Sequence, residues 1–197
     1  LFLDNDMLTP NSFLERFYYE FSKNKNCVLL GLRRLLTTFN FNFLGEDFLS
    51  YNFEELEKFP WYEDERLKER IETNEWRFTY SHTLGIDRKN YFNVNGFDKE
   101  YGKNWGYEDI DLGYKLALSG CQFIFIKDCF DYHQPHFSQS SSEQMASGIN
   151  RKLMMKKHNS VEMEISICFY WEFEKFYKEI IEISRKKNTL STNKQDI

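Results

Sequence analysis

Apolar and polar positions switch between two periods along this chain. Leu1-Phe2-Leu3 is apolar and meets acid at Asp4, which predicts the end of a buried strand. Thr9-Pro10 supplies an N-cap and a proline at the first helical position. Phe13, Leu14, Phe17 and Phe21 then fall on one face, so a helix is expected over 10–23. Residues 27–32 are apolar throughout and predict a second strand, whereas 33–42 has no clear period. From 46 to 75 charge and aromatics mix. Helical stretches are expected at 53–57 and 63–72, separated by Pro60, as a mobile surface excursion. Residues 76–83 predict a returning strand, and a short helical turn over 88–94 is expected to end at Asn95-Gly96.

The second half is more regular. Residues 101–107 read as a loop carrying Gly102 and Gly106. A helix starts at Glu108, with Ile110, Tyr114, Ala117 and Leu118 as its apolar stripe and Gly120 just past its end. Residues 121–126 predict a strand and 138–142 a polar loop. A basic helix is expected from Ser142-Glu143 to His158, and a long aromatic-rich helix over 161–187. The last ten residues are expected to fray. No internal repeat is visible.

Length and composition narrow the class. A chain of 197 residues is one domain with a small appendage, here expected as 1–140, a helical extension over 141–187 and a disordered tail over 188–197. The net charge of −5 argues against a phosphate-backbone binder, so no nucleic acid is expected. Aromatics at 18% are enough for a sizeable core. No apolar run approaches the roughly 18–20 residues of a membrane span. Cys27, Cys121, Cys129 and Cys168 show no Cys-x-x-Cys spacing. Without a secretory pattern they read as reduced thiols of a cytoplasmic protein, peripheral to a membrane at most.

Three clusters could carry chemistry. Asp4-Asn5-Asp6 puts two carboxylates at i and i+2 at a strand end, where alternation would point both to one side and two hard oxygens suit Mg²⁺ or Mn²⁺. The plainer alternative is an Asx turn. Trp105-Gly106-Tyr107-Glu108-Asp109-Ile110-Asp111 crowds acids into a helix's first turn, where the dipole is expected to keep them ionised. They could be ordinary helix stabilisers, or a base beside an aromatic sugar platform. Tyr132-His133-Gln134-Pro135-His136 sets a histidine just after a strand, on a loop stiffened by Pro135. His133 could complete a metal site with Asp6 or be a satisfied structural histidine. His82 and His158 read as structural.

Taken in order, these motifs with Asn95-Gly96-Phe97-Asp98 resemble the C-terminal half of a family 2-type glycosyltransferase of the GT-A fold. The likeness is to the inverting galactosyl- and N-acetylgalactosaminyltransferases and the chondroitin polymerases, over about 1–135. The resemblance implies an α/β fold with a mixed sheet flanked by helices. It implies Mn²⁺ or Mg²⁺ on the donor diphosphate held by Asp6, with Asp4 on the nucleotide ribose or supporting the metal and His133 as the third protein ligand. Asp109 would be the general base, Glu108 would bind the acceptor, and Trp105 with Gly106 would line the sugar pocket. The substrates would be a nucleotide sugar (UDP-hexose or UDP-N-acetylhexosamine) and a glycan, lipid or peptide hydroxyl, as in polysaccharide biosynthesis.

Family members place about a hundred residues before the Asp-x-Asp pair. The likeness therefore implies that the N-terminal nucleotide-binding strands and most of the uridine pocket are missing here, as in a truncated piece, a partial gene product or half of a split enzyme, so a complementary N-terminal chain or a homo-oligomer is the expected protein partner. A non-catalytic carbohydrate- or partner-binding remnant is the alternative, and a two-metal phosphohydrolase using Asp4 and Asp6 is weaker. The basic stretch with Arg151, Lys152, Met154, Met155, Lys156 and Lys157 could face a membrane or an acidic glycan. The favoured expectation is a helix packed by its apolar face, with solvated lysines opposite.

Overall fold

A computed structural model describes residues 1–37, 56–58, 60–68, 75–135, 140–168, 172, 175–180 and 182–183, with side chains of the 140–157 helix from Gly148 onward. Its centre is β3 (Cys27–Leu36), apolar at nearly every position because both faces are covered. Alternation sends Val28 and Leu30 into one core cluster and Cys27 and Leu29 into another. β6 (Gln122–His133) runs parallel along β3, while β5 (Thr83–Ile86) and β4 (Trp61–Glu63) pair antiparallel with successive parts of it. β1 (Phe2–Leu3) borders β5 and β2 (Met7–Leu8) borders β6, giving the order β1-β5-β3-β6-β2.

That order has a steric consequence. A flat sheet would set β1 and β2 about 19 Å apart, beyond the roughly 14 Å that the four peptide steps from Leu3 to Met7 can reach. The sheet therefore curls at this end, and the Asp4–Met7 turn closes it, with the Met7 N–H donating to the Asp4 carbonyl at 3.3 Å. β1 is an edge strand: Leu1 and Leu3 are exposed, so the expected buried strand end is corrected to an exposed one.

α1 (Phe13–Lys23) covers one face with Phe13 and Phe17. It begins after Ser12 rather than at Pro10, and Leu14 lies outside the buried stripe, 68% exposed. α2 (Arg88–Asn93) is capped by Asp87 and closes, as expected, at Asn95 and Gly96, both left-handed. α3 (Glu108–Leu118) covers the other face. Its stripe differs from the expected one: Leu112 and Leu116 face the sheet, Tyr114 packs with Met154 and Met163, and Leu118 is exposed. The helix is buried on two sides because α4 (Ser140–Lys157) and α5 (Val161–Cys168) supply a second neighbour. Met154 is buried while Arg151, Lys152, Lys156 and Lys157 lie outside, the packed-helix expectation.

Two strand expectations change. Residues Glu75–Phe78 form a 3-10 turn that buries Trp76 and Phe78 beneath α3. Gly113 permits this approach, since a Cβ there would collide with Thr79 and the Trp76 carbonyl. β6 runs on past 126 to His133, with a register jump beside Gly31/Leu32. In the 46–75 stretch, Trp61–Glu63 is a strand and Glu65–Lys68 a 3-10 turn. Positions 53–55 and 69–72 of the two expected helices lie outside the described residues, as do all of 38–55, 136–139, much of 169–187, and the tail. Cys27, Cys121 and Cys129 are buried free thiols. Among the described residues no helix is long and apolar enough to cross a membrane.

Candidate active site

The acidic helix start is set by two consecutive left-handed residues, Gly106 at φ +88° and Tyr107 at φ +72°. Glycine takes this conformation freely, whereas a tyrosine costs roughly 1–2 kcal/mol there. Tyr107 is also an N-cap with no side-chain cap bond. The turn delivers Glu108 and Asp109 to the wall of a cavity of about 430 Å³. Asp109 accepts the N–H groups of Ile110 at 2.8 Å and Ser81 at 3.3 Å. Its carboxyl is closely surrounded, yet keeps some contact with solvent from the cavity. Burial, then the neighbouring Glu108 charge, raises it to about 7. The expectation that the helix dipole keeps this acid ionised is therefore corrected: desolvation outweighs the dipole.

The same cavity is lined by Asp4, Trp105, Gly106, Glu108 and Asp109, so the first two sequence clusters meet. Trp105 is 60% exposed and offers an open ring face. Glu108 Oε2 is buried and meets no hydrogen-bond partner among the described residues. Arg33, Tyr80, Ser81 and His82 complete much of the wall, and no motif announced them. The backbone of 81–82 joins the two acidic clusters. Ser81 donates to Asp109, and the His82 carbonyl accepts the Asp4 N–H at 3.1 Å.

Asp6 and His133 form a neighbouring pair, with Oδ2 and Nε2 3.5 Å apart. The Asp6 carbonyl also accepts the Gln134 N–H at 3.0 Å. Two details differ from expectation. Asp4 and Asp6 lie in a turn, so strand alternation does not orient them. His133 is the last residue of β6, held between Leu35 and Met7, rather than on a following loop. His136 lies outside the described residues. Neighbouring ligands of an octahedral hard cation sit about 3 Å apart, so the pair fits two positions of such a shell. Among the described residues no group of three His, Cys, Asp or Glu converges. A cation held by this pair would have to take its other ligands from water and phosphate, as Mg²⁺ commonly does.

Beneath the cavity runs a buried polar chain. Arg66 is fully enclosed and donates to Asp64 at 2.6 and 2.8 Å and to the Phe78 carbonyl at 3.0 Å. Its Nη2 also lies 3.0 Å from His82 Nε2. A guanidinium only donates, so Nε2 accepts and the His82 proton sits on Nδ1, facing Thr83 Oγ1 at 3.1 Å. Thr83 in turn donates to Asp131. Burial, then the positive charges of Arg66 and Arg33, holds His82 far below its usual range, which keeps it neutral and structural. His158 is likewise structural, 2.6 Å from Asp111.

The family described as the N-terminal domain of galactosyltransferase matches residues 65–138, which span the Trp105–Asp111 turn and His133. The validoxylamine A glucosyltransferase of Streptomyces hygroscopicus subsp. jinggangensis is 25% identical over 114 residues, covering 54% of this chain and 27% of that protein. The chondroitin synthase of Escherichia coli is 27% identical over 171 residues, covering 75% of this chain and 24% of that protein. That of Pasteurella multocida is 24% identical over 180 residues, covering 79% and 18%. The chain thus spans about a quarter or less of the length of these relatives. The match over 65–138, the low-identity glycosyltransferase relatives and the mixed sheet flanked by helices together support a GT-A-like glycosyltransferase domain of the family 2 type in this chain.

Proposed function

We propose that this cavity transfers a hexose or N-acetylhexosamine from a nucleotide-sugar donor, such as a UDP-sugar, to an acceptor hydroxyl with inversion, as in polysaccharide biosynthesis. The observation that carries the reading is Asp109: a carboxyl raised to about 7 on a cavity wall it shares with Trp105, Glu108 and Asp4. Trp105 packs on the apolar face of a sugar ring, and Glu108 Oε2 accepts a sugar hydroxyl in place of a protein donor. Asp109 takes the acceptor proton as the new bond to the anomeric carbon forms and the bond to phosphate breaks. The nucleoside diphosphate leaves with that bond's electron pair. Asp4, across the cavity, contacts the donor ribose or supports the metal-binding pair.

Asp6 and His133 would hold Mn²⁺ or Mg²⁺. When bound, the cation offsets charge on the departing diphosphate. Transfer assayed with Mn²⁺ and a panel of UDP-sugars, with and without EDTA, tests the reading. Transfer lost on chelation and restored by Mn²⁺ is expected. Sugar binding without transfer under every condition would leave a carbohydrate-binding module instead. Asp6→Ala and His133→Ala should weaken Mn²⁺ affinity together, and unchanged affinity in both removes them from the metal shell.

A further inference from the structure

Among the described residues helix α4 lines no part of the cavity, yet it holds the loop that does. Asn150 Nδ2 lies 3.2 Å from the Tyr101 carbonyl, 3.0 Å from that of Asn104 and 2.7 Å from that of Gly106. One amide has two hydrogens, so three carbonyls share them. Asn150 is 1% exposed, and its Oδ1 meets no donor among the described residues. Burying an unpaired oxygen is unfavourable, and an apolar side chain of similar size would avoid it. What the asparagine adds is a single point that gathers three carbonyls of one loop.

We propose that Asn150 is a positioning residue of the transfer site, fixing Trp105 and the entry of Glu108-Asp109 for the acceptor. This rests on the function proposed above. Trp105 lies between two of the gathered carbonyls, and its ring is too exposed for packing to fix it. Its place is therefore set through the backbone. The Gly106 carbonyl precedes the strained Tyr107, which lacks a side-chain cap, so the bond from Asn150 supports the turn where it is weakest. Charged contacts at the surface and in the interior bracket the same segment. Lys157 reaches Asp98 at 2.6 Å and Glu100 at 3.0 Å, and His158 reaches Asp111 at 2.6 Å. The loop and helix start over 98–111 are thus tied to α4 at the Asp98 end and at the middle, and to His158, the residue that follows α4, at the Asp111 end.

The test uses Asn150→Leu, which removes the donor at similar size, and Asn150→Ser, which keeps a shorter one. Amide exchange is followed over 101–107 and, as a reference, over β3. Kinetics separate acceptor KM from the affinity of the Mn²⁺ complex of a nucleoside diphosphate. For Asn150→Leu the expected result is exchange about tenfold faster in 101–107 with β3 unchanged. Acceptor KM should rise about tenfold, with nucleotide affinity within about twofold of wild type. Asn150→Ser should recover part of both, and it carries the test if β3 in the leucine variant loses protection equally. Unchanged exchange in 101–107 overturns the proposal, as does faster exchange without any rise in acceptor KM. If the wild type transfers nothing, the proposed function fails. Exchange, together with quenching of tryptophan fluorescence by an oligosaccharide, then still decides whether Asn150 positions the loop.

Discussion

Asp109 and Asp111 lie two residues apart on the first turn of α3 and feel the same helix dipole, yet their surroundings drive them in opposite directions. Burial, then Glu108, raises Asp109 to about 7. Burial alone would raise Asp111 as well, but His158 at 2.6 Å and Lys115 at 2.9 Å hold it below the ordinary carboxylate range. One carboxyl faces a cavity and the other faces the C-terminal helices. Position on a helix thus does not decide whether an acid is raised or lowered. The partners brought by tertiary packing decide it.

The contrast can be broken most sharply at Asp109. Asp109→Asn keeps the shape but removes the base, so transfer should fall about 10²- to 10⁴-fold while Mn²⁺ affinity stays as in the wild type. Equal loss of both would contradict its role. Asp111→Asn should act on the other side of the contrast. It leaves His158 and Lys115 without their shared carboxylate, and about 1–3 kcal/mol of unfolding free energy should be lost in denaturant titration. Transfer per folded molecule should change far less than for Asp109→Asn.

Removing the neighbouring charge sharpens the comparison without touching either carboxyl. Asp109 must be ionised to accept a proton, so kcat/KM should rise with pH through about 7. Glu108 raises Asp109, so Glu108→Gln should move that limb to lower pH, whatever it does to acceptor affinity. A limb that stays in place would mean that Glu108 and Asp109 are not coupled. The smallest effect is expected for Tyr101→Phe, which removes a 3.2 Å hydrogen bond to Asp111 and should cost about 1 kcal/mol or less, read from the same denaturant curves.

Much of this arrangement is legible along the chain, because its local parts are made by local residues. The strand at Cys27, the helix beginning at Glu108, the glycine before it and the acids after it all follow from short-range pattern. The pairing of Asp6 with His133 follows only from motif order, since the residues are 127 positions apart and the curl of the sheet brings them together. Arg66, His82 and Asn150 gave no local signal. Each acts through carbonyls or side chains supplied by distant segments, and a lone Arg, His or Asn carries no period. Residues 76–83 mislead for a related reason. Their aromatics look like a strand, but the glycine that lets a tight turn lie beneath α3 is Gly113, more than thirty positions further along the chain.

The contrast between a raised Asp109 and a lowered Asp111 on one helical turn carries the proposed role of Asp109. Its most direct test is a pH titration of both side-chain carboxyls by carbon-detected NMR in the intact protein, with Asp109→Asn and Asp111→Asn used to assign the signals. Asp109 should titrate near 7 and Asp111 below the usual carboxylate range near 4. A midpoint near 4 for Asp109 would contradict the claim.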